Sequence, residues 1–318
     1  MSITKKCLVI SQRRYSGWVL DALWKESSQA LNFKPKSLYL TRNDIFNYWL
    51  SLRFLFSGYR WNRVLAIHGS SLNFLSNIGL LQRIQHLNVI LTHINSKEEL
   101  LSLVNFYKEY PYLRFLTMNG SVASSLHQEG IGKGSLDIVY GAVDRSIYFP
   151  ANKNILGDYV LIGGECKPRK SPGKIAEVIR RNSDIHFTFE HSSWLKEMRN
   201  VSPLVGNFNV WNTQKLSRGD LYRNASALLT LSALEGGPIP VLQALASGTP
   251  VLSSDVGFVR EVVTDGFGRV INLDLTIREI SVLLKEVASM KKIVSTQDGL
   301  EGKFSWQELG QKLFTFAD

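Results

Sequence analysis

The sequence predicts an α/β protein built from two doubly wound, Rossmann-like domains. Short, continuous apolar runs alternate with longer amphipathic stretches, and such runs are typical of parallel strands buried on both faces. A segment rich in Gly, Pro and Asn near residue 150 interrupts this alternation and indicates a domain boundary. The length of 318 residues suits two domains of ordinary size.

The first domain is expected at residues 1–150, with helical stretches such as Val19–Leu31 and Lys97–Tyr107 between its strands. Its predicted strands are Cys7–Ser11, Ser37–Leu40, Val64–His68, Val89–His93 and Arg114–Met118. Each of these runs is short and followed by a loop or a helical pattern, as the βα alternation of a parallel sheet requires.

The second domain is expected at residues 151–303, with helices at Lys174–Arg181 and Pro240–Ala246. Its predicted strands are Tyr159–Gly163, His186–Glu190, Ala227–Leu231, Val251–Ser253 and Arg269–Ile271. The tail, residues 304–316, has a helical pattern that Ser305 can cap, with Glu308 three residues later. One apolar stripe of this tail contains Trp306, Leu309, Leu313 and Phe316.

Composition restricts the class of protein without choosing its ligand. The net charge of +10 attracts nucleic acid, acidic lipid or phosphorylated small molecules, and an ordinary solvated basic surface explains it equally well. Cys7 and Cys166 lack metal-ligand or redox spacing and are interpreted as ordinary thiols of a reducing compartment. Because no apolar run is long enough for a secretory signal or a membrane span, we expect a cytoplasmic protein.

The segment from residue 225 to residue 272 carries the strongest chemical signal. A predicted strand leads into Ser232-Ala-Leu-Glu-Gly-Gly-Pro, and a helix follows from about Pro240 until Gly248 ends it. Gly236 and Gly237 precede this helix, where backbone N–H groups can bind phosphate. Glu235 stands at the strand end, where its carboxylate can accept hydrogen bonds from sugar hydroxyls. A tight turn with a surface Glu is the alternative for these residues taken alone.

This segment resembles the donor-site signature of the retaining GT-B glycosyltransferases called glycosyl transferases group 1, or glycosyltransferase family 4. The order and spacing of the matching positions both agree with the signature. Matching residues are Ser232, Glu235, Gly236, Pro240, Ala244, Ala246, Gly248, Pro250, Val251, Gly257, Glu261, Val262 and Val263, with Asp265, Gly266 and Gly268 in the turn that follows.

Further landmarks of this family occur in the same order. Residues 139–150 resemble its hinge motif, residues 163–170 its Gly-rich loop that ends in Lys, and residues 304–306 the start of its closing helix. The resemblance covers residues 137–316; before them it rests on His93 and the fold pattern. It implies two Rossmann-like domains facing across a cleft, with residues 304–318 as a helix that returns to the first domain.

The resemblance also assigns site residues. The catalytic assignments are His93, Glu235 and Lys170. The donor-binding assignments are Gly17, Arg169, Lys170, Glu235, Gly236, Gly237, Pro238 and Gln243. Two positions depart from the family pattern, because Gln243 replaces a Glu that binds the ribose and Glu165 replaces an Arg of the phosphate clamp. The implied reaction retains the anomeric configuration and uses a UDP- or GDP-sugar as substrate, with no metal and no cofactor.

Residues 42–63 set the expectation for the acceptor. Aromatic and aliphatic residues alternate there with Arg42, Arg53, Arg60 and Arg63, a pattern that suits an anionic membrane surface. A peripheral protein that glycosylates a lipid-linked or surface glycan such as lipopolysaccharide would need such a segment, although a buried helix with Arg at its ends explains it too. Two alternatives stay open, namely a transferase acting on modified DNA and a non-catalytic module that binds sugar nucleotides.

Overall fold

The computed structural model describes residues 7–12, 19–40, 63–150, 158–201, 207–290 and 304–316. The chain divides into two compact units. One unit contains residues 1–142 and 305–318, and the other contains residues 143–304. The division after Ala142 comes earlier than the boundary that the sequence suggests at residue 150.

The first unit contains a six-stranded, wholly parallel sheet with the strand order β2-β1-β3-β4-β5-β6. Its strands are β1 (Leu8–Gln12), β2 (Lys36–Leu40), β3 (Arg63–Ala66), β4 (His86–Leu91), β5 (Leu113–Thr117) and β6 (Leu136–Ile138). Its helices before the boundary are α1 (Val19–Ala30), α2 (Ser70–Asn77), α3 (Lys97–Glu109) and α4 (Gly120–Gln128). Ser96 and Asn119 cap α3 and α4 by accepting hydrogen bonds from backbone N–H groups of the first turn.

The second unit contains another six-stranded parallel sheet, with the order β12-β11-β10-β7-β8-β9. Its strands are β7 (Tyr159–Ile162), β8 (Phe187–Phe189), β9 (Phe208–Val210), β10 (Ala225–Thr230), β11 (Val251–Ser254) and β12 (Gly268–Ile271). Its helices are α5 (Pro172–Arg181), α6 (Ser193–Val201), α7 (Arg218–Arg223), α8 (Ile239–Ala246), α9 (Val259–Val262) and α10 (Ile277–Ala288).

Both sheets are covered by helices, and this explains why their central strands are mainly apolar. In the second unit, Phe187, Phe189, Leu229 and Leu252 are fully buried in one cluster with residues of α5, α6 and α10. Ile10 and its neighbours form the equivalent core of the first unit. The parallel α/β class predicted from the sequence is therefore confirmed.

Every strand predicted from the sequence overlaps an observed strand, but two observed strands were not predicted. These are β6 and β9, which have three residues each and form the outer edges of the two sheets. Their side chains are only partly buried or exposed. An edge strand with one face open to water does not need the continuous apolar run that identifies a central strand.

The closing helix α11 (Trp306–Phe314) packs against α1. Ser305 caps it as predicted, because its side chain accepts a hydrogen bond from the backbone N–H of Glu308. The two helices approach closely at Gly310, where an added Cβ would lie 2.8 Å from the carbonyl oxygen of Ser27. The ring of Phe314 packs edge-on against Phe33, with centroids 4.7 Å apart.

Polar side chains of the first sheet also bind the tail. The buried amide of Asn88 donates to the carbonyl oxygens of Leu313 and Thr315, at 2.9 and 3.0 Å. Arg114 donates to the same Thr315 carbonyl while it forms an ion pair with Asp137. The carbonyl groups left open at the end of the helix therefore have partners, which fixes residues 305–316 on the first unit.

The structure also describes the two cysteines and the length of the helices, on which the sequence analysis made predictions. Cys7 and Cys166 are both free thiols, and burial raises the pKa of Cys7 to about 12 and of Cys166 to about 11. Across the part of the chain that the structure describes, none of the helices is long and apolar enough to cross a lipid bilayer.

Replacing Gly310 with Ala is expected to lower the free energy of unfolding by about 1–3 kcal/mol, because the new methyl group has no room between α11 and α1. The matched control is Gly173→Ala in α5, where nothing lies within 4 Å of the added Cβ. That variant should keep the wild-type stability or gain up to ~1 kcal/mol. Urea unfolding followed by circular dichroism measures both. Equal stability of Gly310→Ala and wild type would contradict the close packing.

Candidate functional site

The carboxyl ends of the second sheet bring most of the predicted site residues together. Strands β7 and β10 are hydrogen-bonded neighbours, so the loops that follow them lie side by side. The loop after β7 carries Arg169 and Lys170, and the loop after β10 carries Glu235, Gly236 and Gly237. Open parallel sheets bind ligands at this edge.

Glu235 forms an ion pair with a residue of the neighbouring loop. Its Oε2 accepts a hydrogen bond from Nη2 of Arg169 at 2.9 Å, and its Oε1 accepts one from the hydroxyl of Ser232 at 3.2 Å. The Glu235 side chain is 11% exposed and that of Arg169 is 44% exposed. The carboxylate is therefore held in place with part of its surface open to a ligand.

Backbone contacts fix the loop that carries Glu235. The N–H of Ala233 donates to the carbonyl oxygen of Arg169 at 2.7 Å, which ties the two loops together. The hydroxyl of Ser254, at the end of β11, donates to the carbonyl oxygen of Ser232 at 2.6 Å. Strands on both sides thus hold the loop in position.

Glycine is required where the chain folds back against Gly236. Gly257 has φ +56°, and a Cβ there would lie 2.6 Å from the carbonyl oxygen of Gly236. Pro238 is the N-cap of α8, so Gly236 and Gly237 lie immediately before the helix, as predicted. The helix ends at Ala246, and Gly248 follows in the left-handed conformation at φ +72°.

Lys170 forms a hydrogen bond with the first residue of its own loop, the loop that follows β7. Its ammonium donates to the carbonyl oxygen of Gly163 at 2.9 Å. Gly164 is left-handed at φ +73°, and a Cβ there would lie 2.7 Å from the same ammonium. Burial lowers the pKa of Lys170, while the negative charge of Glu235 opposes this effect.

Glu165, which replaces an expected Arg, pairs with a lysine of its own loop. Its carboxylate lies 2.9 Å from the ammonium of Lys167, and its side chain is 49% exposed. The hydrogen bond from Lys167 lowers the pKa of Glu165. Its negative charge is therefore offset locally.

Gln243 lies inside the unit, where it binds a tyrosine. Its Nε2 donates to the hydroxyl of Tyr148 at 2.9 Å, and its Oε1 is buried with no hydrogen-bond partner among the described residues. Tyr148 packs edge-on against Tyr222 with centroids 5.4 Å apart, and burial raises its pKa to about 12. A role of Gln243 toward a ribose stays a prediction.

In the first unit, His93 follows β4 at the carboxyl edge of its sheet. Its Nδ1 shares a hydrogen bond of 2.8 Å with the hydroxyl of Thr92. The amide of Asn119, after the neighbouring strand β5, donates to the carbonyl oxygen of Thr92 at 3.4 Å. Gly17 and the basic aromatic segment up to residue 62 lie outside the described residues.

One family model matches part of the chain, namely residues 209–292, and its description is "Glycosyl transferases group 1". The matched range contains Glu235, Gly236, Gly237, Pro238 and Gln243, whereas Arg169 and Lys170 precede it. None of the curated proteins gives a significant sequence match to the chain.

Solved structures match the chain over nearly its full length. The lipopolysaccharide outer core galactosyltransferase WaaB, in apo form, is 15% identical, with a TM-score of 0.70 over 97% of this chain and 98% of that one. A glycosyltransferase from Rickettsia africae ESF-5 is 10% identical, with a TM-score of 0.71 over 96% of each chain. Anabaena Alr3699/HepE in complex with UDP-glucose is 13% identical, with a TM-score of 0.68 over 97% and 95%. At these identities the likeness establishes the fold.

The chain has the GT-B fold, and residues 209–292 match the glycosyl transferases group 1 model. The fold expected from the donor-site signature is thereby confirmed.

The carboxyl edge of the second sheet also brings together residues that sequence reasoning missed. Glu190, directly after β8, is buried and accepts hydrogen bonds from Gly164, Arg218 and Tyr222. The available signal was a charged residue at the end of the apolar run His186–Glu190. Among all the residues that the structure describes, no group of three or more His, Cys, Asp or Glu side chains is arranged to hold a metal ion.

The buried pair of Gln243 and Tyr148 predicts a coupling energy. Tyr148→Phe should lower the free energy of unfolding by about 1–3 kcal/mol, because it leaves both polar atoms of the Gln243 amide unpaired. Gln243→Leu in the same chain should recover much of this loss, since the amide is then absent. Urea unfolding of both single variants and the double variant measures the coupling, and additive effects would contradict it.

Proposed function

We propose that this protein is a retaining glycosyltransferase that moves a sugar from a UDP- or GDP-sugar to an acceptor. The observation that carries the proposal is the ion pair of Arg169 with Glu235, which joins two loops beside Lys170 and the N-terminus of α8. The group 1 match includes the Glu235 loop. HepE, which has the same fold, is described in complex with UDP-glucose, and this supports a nucleotide-sugar donor.

The sugar end of the donor is assigned to Glu235. Its carboxylate accepts hydrogen bonds, and donor hydroxyl groups of a hexose are its natural partners. Arg169 and Ser232 hold the carboxylate in one orientation before a ligand arrives. The binding of sugar then requires little rearrangement, which favours affinity.

The diphosphate is assigned to the backbone N–H groups of Gly236 and Gly237 and to the ammonium of Lys170. An N-terminal turn without Cβ atoms lets phosphate approach the amides, and the helix dipole favours its charge. The partial burial of Lys170 strengthens its electrostatic effect on charge that develops on the leaving group. These groups, rather than a metal ion or a cofactor, neutralise the departing nucleotide in the proposed reaction.

The acceptor is proposed to be a lipid-linked or surface glycan of the lipopolysaccharide kind. WaaB, described as a lipopolysaccharide outer core galactosyltransferase, matches nearly the whole chain in fold. The basic aromatic sequence of residues 42–63 suits an anionic membrane surface. We further propose that the protein works in the cytoplasm, bound peripherally at the inner face of the membrane. His93 of the first unit is the residue assigned to catalysis on that side.

Glu235→Ala tests the donor site. Wild-type protein should gain thermal stability with one UDP- or GDP-sugar, and the variant should lose most of this gain because the sugar hydroxyls lose their acceptor. Removing such a charged hydrogen bond costs about 1.5–3 kcal/mol, or at least a 10-fold rise in the donor dissociation constant. A thermal-shift screen followed by titration measures both. Lys170→Ala and His93→Ala should lower turnover.

The matched control is Asp184→Asn, which removes an exposed carboxylate that pairs with Lys285. It should bind the donor as the wild type does. If no UDP- or GDP-sugar shifts the melting temperature of the wild type, the proposal is wrong. Donor binding without hydrolysis or transfer would instead indicate a non-catalytic sugar-nucleotide module, and a salt-sensitive complex with duplex DNA would indicate a DNA acceptor.

A further inference from the structure

The buried carboxylate of Glu190 organises the sheet edge next to Lys170. Glu190 is 7% exposed, and its Oε2 accepts hydrogen bonds from the N–H of Gly164 at 2.5 Å and the hydroxyl of Tyr222 at 2.9 Å. Its Oε1 accepts hydrogen bonds from Nε and Nη2 of Arg218 at 2.8 and 2.5 Å. An ionised carboxylate needs such donors to remain buried.

Arg218 is oriented by Glu190 but is not covered by it. Its side chain is 51% exposed, although two of its three nitrogens donate to one buried carboxylate oxygen. Within the part of the chain that the structure describes, Nη1 has no hydrogen-bond partner. The guanidinium is therefore preorganised, with an open edge suited to an oxyanion, and it loses little conformational freedom on binding one.

Arg218 and Lys170 are both connected with Gly164, Arg218 through Glu190 and Lys170 by its proximity. Glu190 binds both Gly164 and Arg218, and a Cβ on Gly164 would lie 2.7 Å from the Lys170 ammonium. The strands that precede them, β7, β8 and β9, are consecutive neighbours in the sheet. Arg169, Lys170 and Arg218 carry three positive charges against the two negative charges of Glu190 and Glu235, so this edge favours an anion.

We propose that Arg218 binds the diphosphate of the donor and that Glu190 is a positioning residue for it. The inference rests on the proposed function, since it names a further cation of the same donor site. Planar guanidinium groups bind phosphate through paired hydrogen bonds, which a lysine does not reproduce. Glu190 also fixes the Gly164 amide, so the guanidinium and the loop keep one relative geometry.

Arg218→Ala should raise the dissociation constant for UDP or GDP, whichever binds the wild type more tightly, by about 10-fold, the loss of one charge-assisted hydrogen bond. Its effect on the corresponding nucleoside, which lacks phosphate, should be under about 2-fold. Calorimetric titration, with competitive displacement for the nucleoside, measures both. The control is Arg260→Ala, because Arg260 pairs with Asp255 through the same two nitrogens on the protein surface. This control should bind as the wild type does.

Glu190→Gln distinguishes the role of Glu190 in positioning Arg218 from the effect of its negative charge on nucleotide binding. Removing a negative charge beside a diphosphate would by itself tighten nucleotide binding, whereas loss of the Arg218 anchor weakens it. The proposal expects weaker binding, with the melting temperature recorded to confirm folding. Unchanged diphosphate binding in Arg218→Ala, or equal losses for nucleotide and nucleoside, would overturn the inference. A wild type that binds neither UDP nor GDP would instead defeat the proposed function.

Discussion

Burial of both faces of each parallel sheet is the constraint on which the rest of the protein depends. Helices cover the central strands, so these strands hold continuous apolar residues such as Phe187 and Leu229. The loops that follow the strands have more room for polar groups, and all strands of a parallel sheet end at the same edge. Glu190 and Glu235 stand in such positions, after β8 and β10, and the chemistry of the chain concentrates there.

At this edge the polar groups of the protein form hydrogen bonds and ion pairs with one another before any ligand is bound. Glu235 has Arg169, the Gly163 carbonyl has Lys170, and Glu190 has Gly164 and Arg218. Lys170 binds within its own loop, whereas the contacts of Glu235 and Glu190 connect loops that follow different strands. Such a network keeps side chains and backbone amides in one arrangement, and preorganised groups stabilise developing charge without reorganisation.

The two residues that depart from the donor-site signature each form a hydrogen bond or ion pair with a nearby side chain. Glu165 pairs with Lys167, and the amide of Gln243 binds the hydroxyl of Tyr148. A carboxylate in place of Gln243 would bring a charge into a buried position, whereas the neutral amide costs less to bury. The departure from the signature and the gain of a buried hydrogen bond thus occur at one residue.

The sequence by itself determined the α/β class, ten of the twelve described strands, the capped helix at Ser305 and the loop from Glu235 to Pro238. These features depend on local pattern, on glycine and proline geometry, and on a signature with fixed spacing. Only the tertiary structure decided that Glu190 binds Arg218, that Gln243 faces Tyr148, and that β6 and β9 complete the sheets. The physical reason is that a hydrogen bond between residues far apart in sequence produces no periodic pattern of residue types. The strands β6 and β9 are short and only partly buried, so they have no continuous apolar run by which a sequence could predict them.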